Sequence, residues 1–115
     1  MPNLPNPAAQ LGATVSQLYA LAGNSAVAAA QRQTLLLQAH DLRGDLMALV
    51  SLQFSNATAA YTGVMAALAD VTTAINQAEQ DIQNIVDVVA GAARLATSID
   101  HLLQEAARIA TTVAA

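Results

Sequence analysis

Apolar residues recur at heptad spacing, without a break in phase, from Met47 to Val113. Two columns make up the pattern. They are Met47, Phe54, Tyr61, Leu68, Ile75, Ile82, Val89, Ala96, Leu103 and Ala110, and Val50, Ala57, Val64, Val71, Ala78, Ile85, Ala92, Ile99, Ala106 and Val113. None of these positions is charged, and a repeat of this kind lets a helix present one seam to a partner helix. The pattern therefore predicts an all-α protein, built as a long helical hairpin or a coiled-coil bundle.

The N-terminal part is predicted to begin as an extended tail over residues 1–6. A first helix should start at Asn6-Pro7, because asparagine caps free amides and proline at the first helical position loses no hydrogen bond. The helical pattern continues to Gly23-Asn24-Ser25. This triplet either ends a short helix or kinks a longer one.

A second apolar frame precedes the long repeat and is two positions out of phase with it. It consists of Ala28, Leu35, Leu42 and Leu49. A change of phase is typical of a helix that is interrupted or that changes neighbours. Because Ser55 and Asn56 favour caps over helix interiors, we predict a turn near Gln53 to Ala57. The alternative is one continuous helix with a stutter.

After this turn the pattern predicts a single helix from Ala57 to Ala114, about 85 Å long at 1.5 Å per residue. From Val88 onward a third apolar column joins the seam, formed by Val88, Leu95, Leu102 and Ile109. Three apolar columns indicate burial between at least two neighbours. A lone hairpin would leave part of this surface exposed, so we expect a second copy or another helical protein to bind there. The predicted interface is Ile82, Ile85, Val88, Val89, Leu95, Ile99, Leu102, Leu103, Ile109 and Val113.

The low content of charged residues limits the kinds of molecule that this protein is expected to bind. The 115 residues are one helical domain at most, and only 10% of them are charged, against roughly 25% in typical soluble domains. There is no lysine, and four arginines against eight acidic residues give a net charge of −4. Nucleic acid is therefore not expected as a partner, because its phosphates are bound by clustered basic residues.

Residues for catalysis are not grouped in this chain. His101 and Glu105 are four residues apart, as are Asp41 and Asp45, but each pair lacks the further ligands that a metal site needs. No nucleophile–base set and no glycine-rich phosphate loop is found. We expect no enzyme activity, no catalytic or metal-binding residues and no cofactor.

The N-terminal sequence Met-Pro-Asn-Leu-Pro-Asn-Pro lacks the charged and apolar regions of a cleavable signal peptide. We expect a cytoplasmic protein, or one released by lysis or by specialised secretion. The 24 residues from Leu46 to Ala69 carry no charge, which leaves a membrane-active or secreted helical hairpin as an alternative. Six polar residues in this stretch lower its hydropathy, so membrane contact is the secondary expectation.

The segment from Leu18 to Gln33 resembles refractile-body (R-body, or "killing trait") structural proteins. Leu18-Tyr19 leads into an alanine-rich helix containing Asn24-Ser25-Ala26-Val27 and ending in Gln31-Arg32-Gln33. The small size, the absence of cysteine and the scarcity of charge also fit. The resemblance implies a bacterial subunit that polymerises into a coiled ribbon, which extends on a trigger such as acid.

Three functional hypotheses follow. The first is a structural subunit that self-assembles into a homo-oligomer, filament or ribbon. The second is the membrane-active or secreted hairpin, and the third is a helical adaptor or chaperone-type protein that binds one partner.

The predicted seam is testable by substitution. Ile85→Asp should lower the free energy of unfolding by several kcal/mol, on the order of 3, because it buries an unpaired charge. Asp87→Ala, two residues away on the outer face, should change it by less than about 0.5 kcal/mol. Urea denaturation followed by circular dichroism measures both, and equal losses would show that the register is wrong.

Overall fold

A computed structural model describes residues 6–50, 52 and 58–114, except for the side chains of 109–114. Within these residues the chain forms four α-helices, which confirms the all-α prediction. They are α1 (Ala8–Ala22), α2 (Ala29–Leu49), α3 (Ala59–Gln80) and α4 (Ile85–Ala114), and a 3-10 turn at Ile82–Asn84 joins α3 to α4.

Asn6 starts α1 and also joins it to the end of α2. Its Oδ1 accepts a hydrogen bond from the Ala8 amide at 2.8 Å, as the predicted cap requires. Its Nδ2 donates to the carbonyl oxygens of Leu49, at 2.9 Å, and Leu52, at 2.7 Å. The start of α1 thus lies beside the end of α2, and the two helices are antiparallel. Between them, Gly23 follows the last residue of α1, so the Gly23-Asn24-Ser25 triplet ends the helix.

The single helix predicted from Ala57 to Ala114 is wrong, because the chain turns at Asp81. This residue has extended backbone angles (φ −143°, ψ 109°), and its Oδ1 accepts a hydrogen bond from the Gln83 amide at 3.1 Å. The heptad phase continues across the turn, because Ile75 and Ile82 remain seven positions apart. The longest dimension of the molecule is 52 Å, well short of the predicted helix.

The four helices form a bundle in which chain order and spatial order differ. Thr58 at the start of α3 donates from Oγ1 to Glu105 Oε1 near the end of α4, at 2.7 Å, so α3 and α4 are antiparallel. Gln38 of α2 donates from Nε2 to the carbonyl oxygen of Val89 in α4, at 3.0 Å. Among the described residues α2 packs on α1 and α4 but not on α3, and α1 packs on α2 and α3 but not on α4. Around the bundle the order is therefore α1, α2, α4, α3.

The pattern of burial shows that the predicted heptad seam is buried in α3 but not at its first residues, Met47 and Val50. In α3 both columns are buried as predicted, at Tyr61, Val64, Leu68, Val71, Ile75 and Ala78. Met47 and Val50, however, are 70% and 63% exposed, because α2 buries the earlier frame, represented by Leu35, Leu42 and Leu49. The predicted turn at Gln53 to Ala57 lies outside the described residues. Leu52 and Thr58 on either side are not helical, so one continuous helix is wrong.

Gly91 allows α3 and α4 to approach closely. A Cβ atom at this position would lie 3.4 Å from Val71 Cα and Cγ2, whereas one at Gly63 would meet nothing within 4 Å. Gly91→Val should therefore lower the free energy of unfolding by about 1–3 kcal/mol through overpacking. Gly63→Val, the matched control, should change it by no more than about 0.5 kcal/mol. Urea denaturation of both variants measures this difference, and equal stabilities would contradict the close approach at Gly91.

Candidate functional site

The ten residues of the predicted interface occupy three environments. Five of them are buried inside the bundle, namely Ile85, Val88, Leu95, Ile99 and Leu102. Ile82, Val89 and Leu103 are partly buried and pack against the same core. The side chains of Ile109 and Val113 lie outside the described part of the chain. Most of this surface is therefore occupied within one copy of the protein.

The packing of α2 on α4 explains why the third apolar column, Val88, Leu95 and Leu102, is buried. Helix α4 packs on both α3 and α2, so it has the two neighbours that three apolar columns predict. We expected the second neighbour to be another chain, but α2 occupies that place. While the bundle is closed, Val88, Leu95 and Leu102 are not accessible to a partner.

The exposed apolar surface lies instead on α2. Its members are Leu36, Leu37 and Met47 of α2 and Val50, which directly follows the helix. They are 49%, 60%, 70% and 63% exposed, and we call them the α2 outer face. Leu35, Leu42 and Leu49 of the same segment are fully buried, so it has apolar side chains on more than one side. A helix of this kind is typical of positions with neighbours on more than one side. Among the described residues Val86 on α4, 56% exposed, is the one other exposed large apolar residue.

The sequence contained a signal for this surface. The two heptad frames overlap at Leu46 to Val50, and a helix that follows both frames carries apolar residues on two faces. We assigned Met47 and Val50 to the buried seam of the later frame. Since Leu42 and Leu49 of the earlier frame are fully buried, Met47 and Val50, the first residues of the later frame, are exposed to solvent.

An open groove of about 620 Å³ separates α1 from α3. Its walls include Gln10, Ala13 and Gln17 from α1, and Met65, Ala69 and Thr72 from α3. The groove carries no charged side chain on its walls. Its uncharged lining favours an apolar or neutral occupant over an ionic ligand.

A polar cleft lies where the start of α3 meets the last turns of α4. It is lined by Ala59, Ala60, His101, Gln104, Glu105 and Arg108. The fold thus brings His101 and Glu105 to one cleft. Glu105 already accepts the Thr58 hydroxyl hydrogen bond, which joins the two helices. Within the described residues no three His, Asp or Glu side chains are placed to bind a metal ion.

Acidic residues also meet between α2 and α4. The pKa of Asp45 is raised from 3.8 to about 6, mainly because the carboxyl is partly buried and in addition because the negative charges of Asp100 and Asp41 are near. The carboxylate form of Asp45 is therefore unfavourable in the folded bundle. Loss of hydration on burial is the main physical reason, and repulsion from Asp100 and Asp41 adds to it.

In the described part of the chain, no helix has both the length and the hydropathy needed to cross a bilayer. Within the uncharged stretch from Leu46 to Ala69, the residues up to Leu49 belong to α2 and those from Ala59 onward belong to α3.

Comparisons with protein-family models, with curated proteins and with solved structures find no match to this chain. The resemblance to R-body proteins therefore stays a prediction.

The raised pKa of Asp45 predicts how stability depends on pH. Between about pH 4 and pH 6 the folded chain holds a proton that the unfolded chain releases, so this group stabilises the fold below about pH 4. That contribution is lost as the pH rises through about 6. Because Asp45 is only partly buried, solvent screening limits the effect to about 1 kcal/mol or less.

Asp45→Asn should remove this contribution, so the variant should gain stability relative to the natural chain as the pH rises from about 4 to about 7. Asp87→Asn, at an exposed position of α4, is the control and should show no such pH-dependent gain. Urea denaturation across this pH range measures both differences. A difference for Asp45→Asn that stays constant with pH would contradict the assignment.

Proposed function

We propose that this protein is a non-enzymatic structural subunit that assembles with copies of itself. The observation that carries the proposal is the α2 outer face. Four large apolar side chains on or directly after one helix are about half or more exposed, although the bundle has a complete core of its own. Covering such a surface removes apolar area from water, which favours association.

The charge pattern supports the same proposal. With 10% charged residues and no lysine, the surface has little charge to oppose contact between copies. An oligomer, filament or ribbon of the R-body kind is the form of assembly that the sequence resemblance implies. We further propose that the protein works in the bacterial cytoplasm, or outside after lysis or specialised secretion.

The alternative of a helical adaptor would use the same α2 outer face for a different helical protein. The two functions differ in the behaviour of the purified chain. A self-assembling subunit associates alone as its concentration rises, whereas an adaptor needs its partner.

Sedimentation velocity over a wide range of concentrations tests this proposal. The mean mass of the natural chain should rise with concentration. Met47→Ser with Val50→Ser should weaken association by roughly tenfold or more, because each change removes about 1 kcal/mol of apolar burial. Both residues are more than 60% exposed, so the free energy of unfolding should change by no more than about 0.5 kcal/mol each.

Val86→Ser is the matched control, since Val86 is also exposed but lies on α4. It should leave association unchanged. A natural chain that remains monomeric at every concentration would contradict self-assembly and favour the adaptor.

A further inference from the structure

Two surfaces of the bundle are complementary but lie on different helices. The α2 outer face presents large apolar side chains, and the groove between α1 and α3 has room of about 620 Å³ with uncharged walls. Helix α2 does not contact α3 within the described residues. The two surfaces can therefore meet only between copies.

Charge is distributed unequally between the same two sides. All four arginines are on α2 and α4, namely Arg32, Arg43, Arg94 and Arg108. Helix α1 has no charged residue, and the charges of α3 are Asp70 and Glu79 alone. The side with the groove thus has acidic residues and no basic one. Helices α2 and α4 carry acidic residues as well, but the charged residue on the line between Leu36 and Val50 is Arg43. Opposite charges of this kind favour contact between the two surfaces.

The spacing of these charges matches on the two surfaces. Arg43 lies seven residues after Leu36 and seven before Val50, and Glu79 lies seven after Thr72 of the groove. Seven residues are about 10 Å along a helix, or close to two turns, so each charge lies on the same line as its apolar or groove neighbours. With Arg43 placed opposite Glu79, either Leu36 or Val50 reaches Thr72, according to the direction of the docked helix.

We propose that the α2 outer face of one copy docks in the α1–α3 groove of the next copy. This inference rests on the proposed function and specifies its contact. Each copy uses two different surfaces, so one contact leaves a free groove at one end and a free α2 outer face at the other. Such a heterologous interface continues into a filament, or closes into a ring where the rotation allows it.

A symmetric contact between two α2 outer faces is the competing arrangement. Its two-fold axis, if centred on the line from Leu36 to Val50, would bring Arg43 of one copy against Arg43 of the other. Like charges at the centre of an interface oppose binding. The groove offers Glu79 in place of that arginine.

Mixing two variants distinguishes these arrangements. The face variant is Met47→Ser with Val50→Ser. The groove variant is Ala13→Gln with Ala69→Gln, which fills the groove at two exposed positions. Each variant alone should associate roughly tenfold or more weakly than the natural chain. An equimolar mixture should form a heterodimer and stop there, because only one intact face and one intact groove remain for each pair.

A groove variant that assembles as well as the natural chain would overturn the inference and support the symmetric contact. In that case the mixture would contain only assemblies of the groove variant. A natural chain that is monomeric throughout would instead contradict self-assembly itself. Circular dichroism of each variant confirms that the helices are intact.

Charge reversal provides a second measurement. Arg43→Glu and Glu79→Arg, both at exposed positions, should each weaken association by roughly two- to tenfold. The two changes in one chain should restore it, because the pair is then reversed across the contact. Asp70→Arg is the control, since Asp70 is two residues from Thr72 and so nearly opposite it around the helix. Loss of association with Asp70→Arg equal to that with Glu79→Arg, or no restoration in the double variant, would overturn the inference.

Discussion

The packing of α4 against both α3 and α2 is the interaction on which this fold depends. Val88, Leu95 and Leu102 are almost completely buried, and so are Ile85 and Ile99. Full burial of an aliphatic side chain contributes roughly 1.5–3 kcal/mol, so this helix supplies a large part of the core. The Gln38 hydrogen bond to the Val89 carbonyl adds a polar contact between α2 and α4.

This packing also determines which surface is left over. Because α2 covers the third column of α4, that column is not available to another chain. The apolar residues of the α2 outer face remain uncovered, at Leu36, Leu37, Met47 and Val50. The sequence indicates more apolar surface than one hairpin can bury. Because α2 packs on α4, the apolar residues that stay exposed are those of the α2 outer face and not those of the third column of α4. Association stays a prediction, and the exposed apolar residues available for it are those of the α2 outer face.

The groove between α1 and α3 follows from the same arrangement. Helices α1 and α2 are joined at one end by Asn6, and α3 and α4 at one end by Thr58 with Glu105. Each pair of antiparallel helices is therefore joined by its own hydrogen bonds, and the two pairs pack together on one side through α2 and α4. On the other side α1 and α3 are separated along part of their length by the groove. The groove between α1 and α3 and the exposed α2 outer face therefore both follow from the packing of α2 on α4.

Caps and apolar periodicity by themselves determined that the chain is all-α and that a helix starts after Asn6, because both act over a few residues. They left open whether Gly23-Asn24-Ser25 ends that helix or kinks it, and the structure shows that it ends there. Apolar periodicity also placed the α3 seam, from Tyr61 to Ala78, correctly. The turn at Asp81 was missed, since the heptad phase runs through it and neither glycine nor proline marks it. Only the tertiary structure decided which face of α2 is buried and which neighbour covers α4. The reason is that a sequence repeat gives the spacing of apolar residues along a helix, whereas the helices that pack around it determine which of those residues are buried.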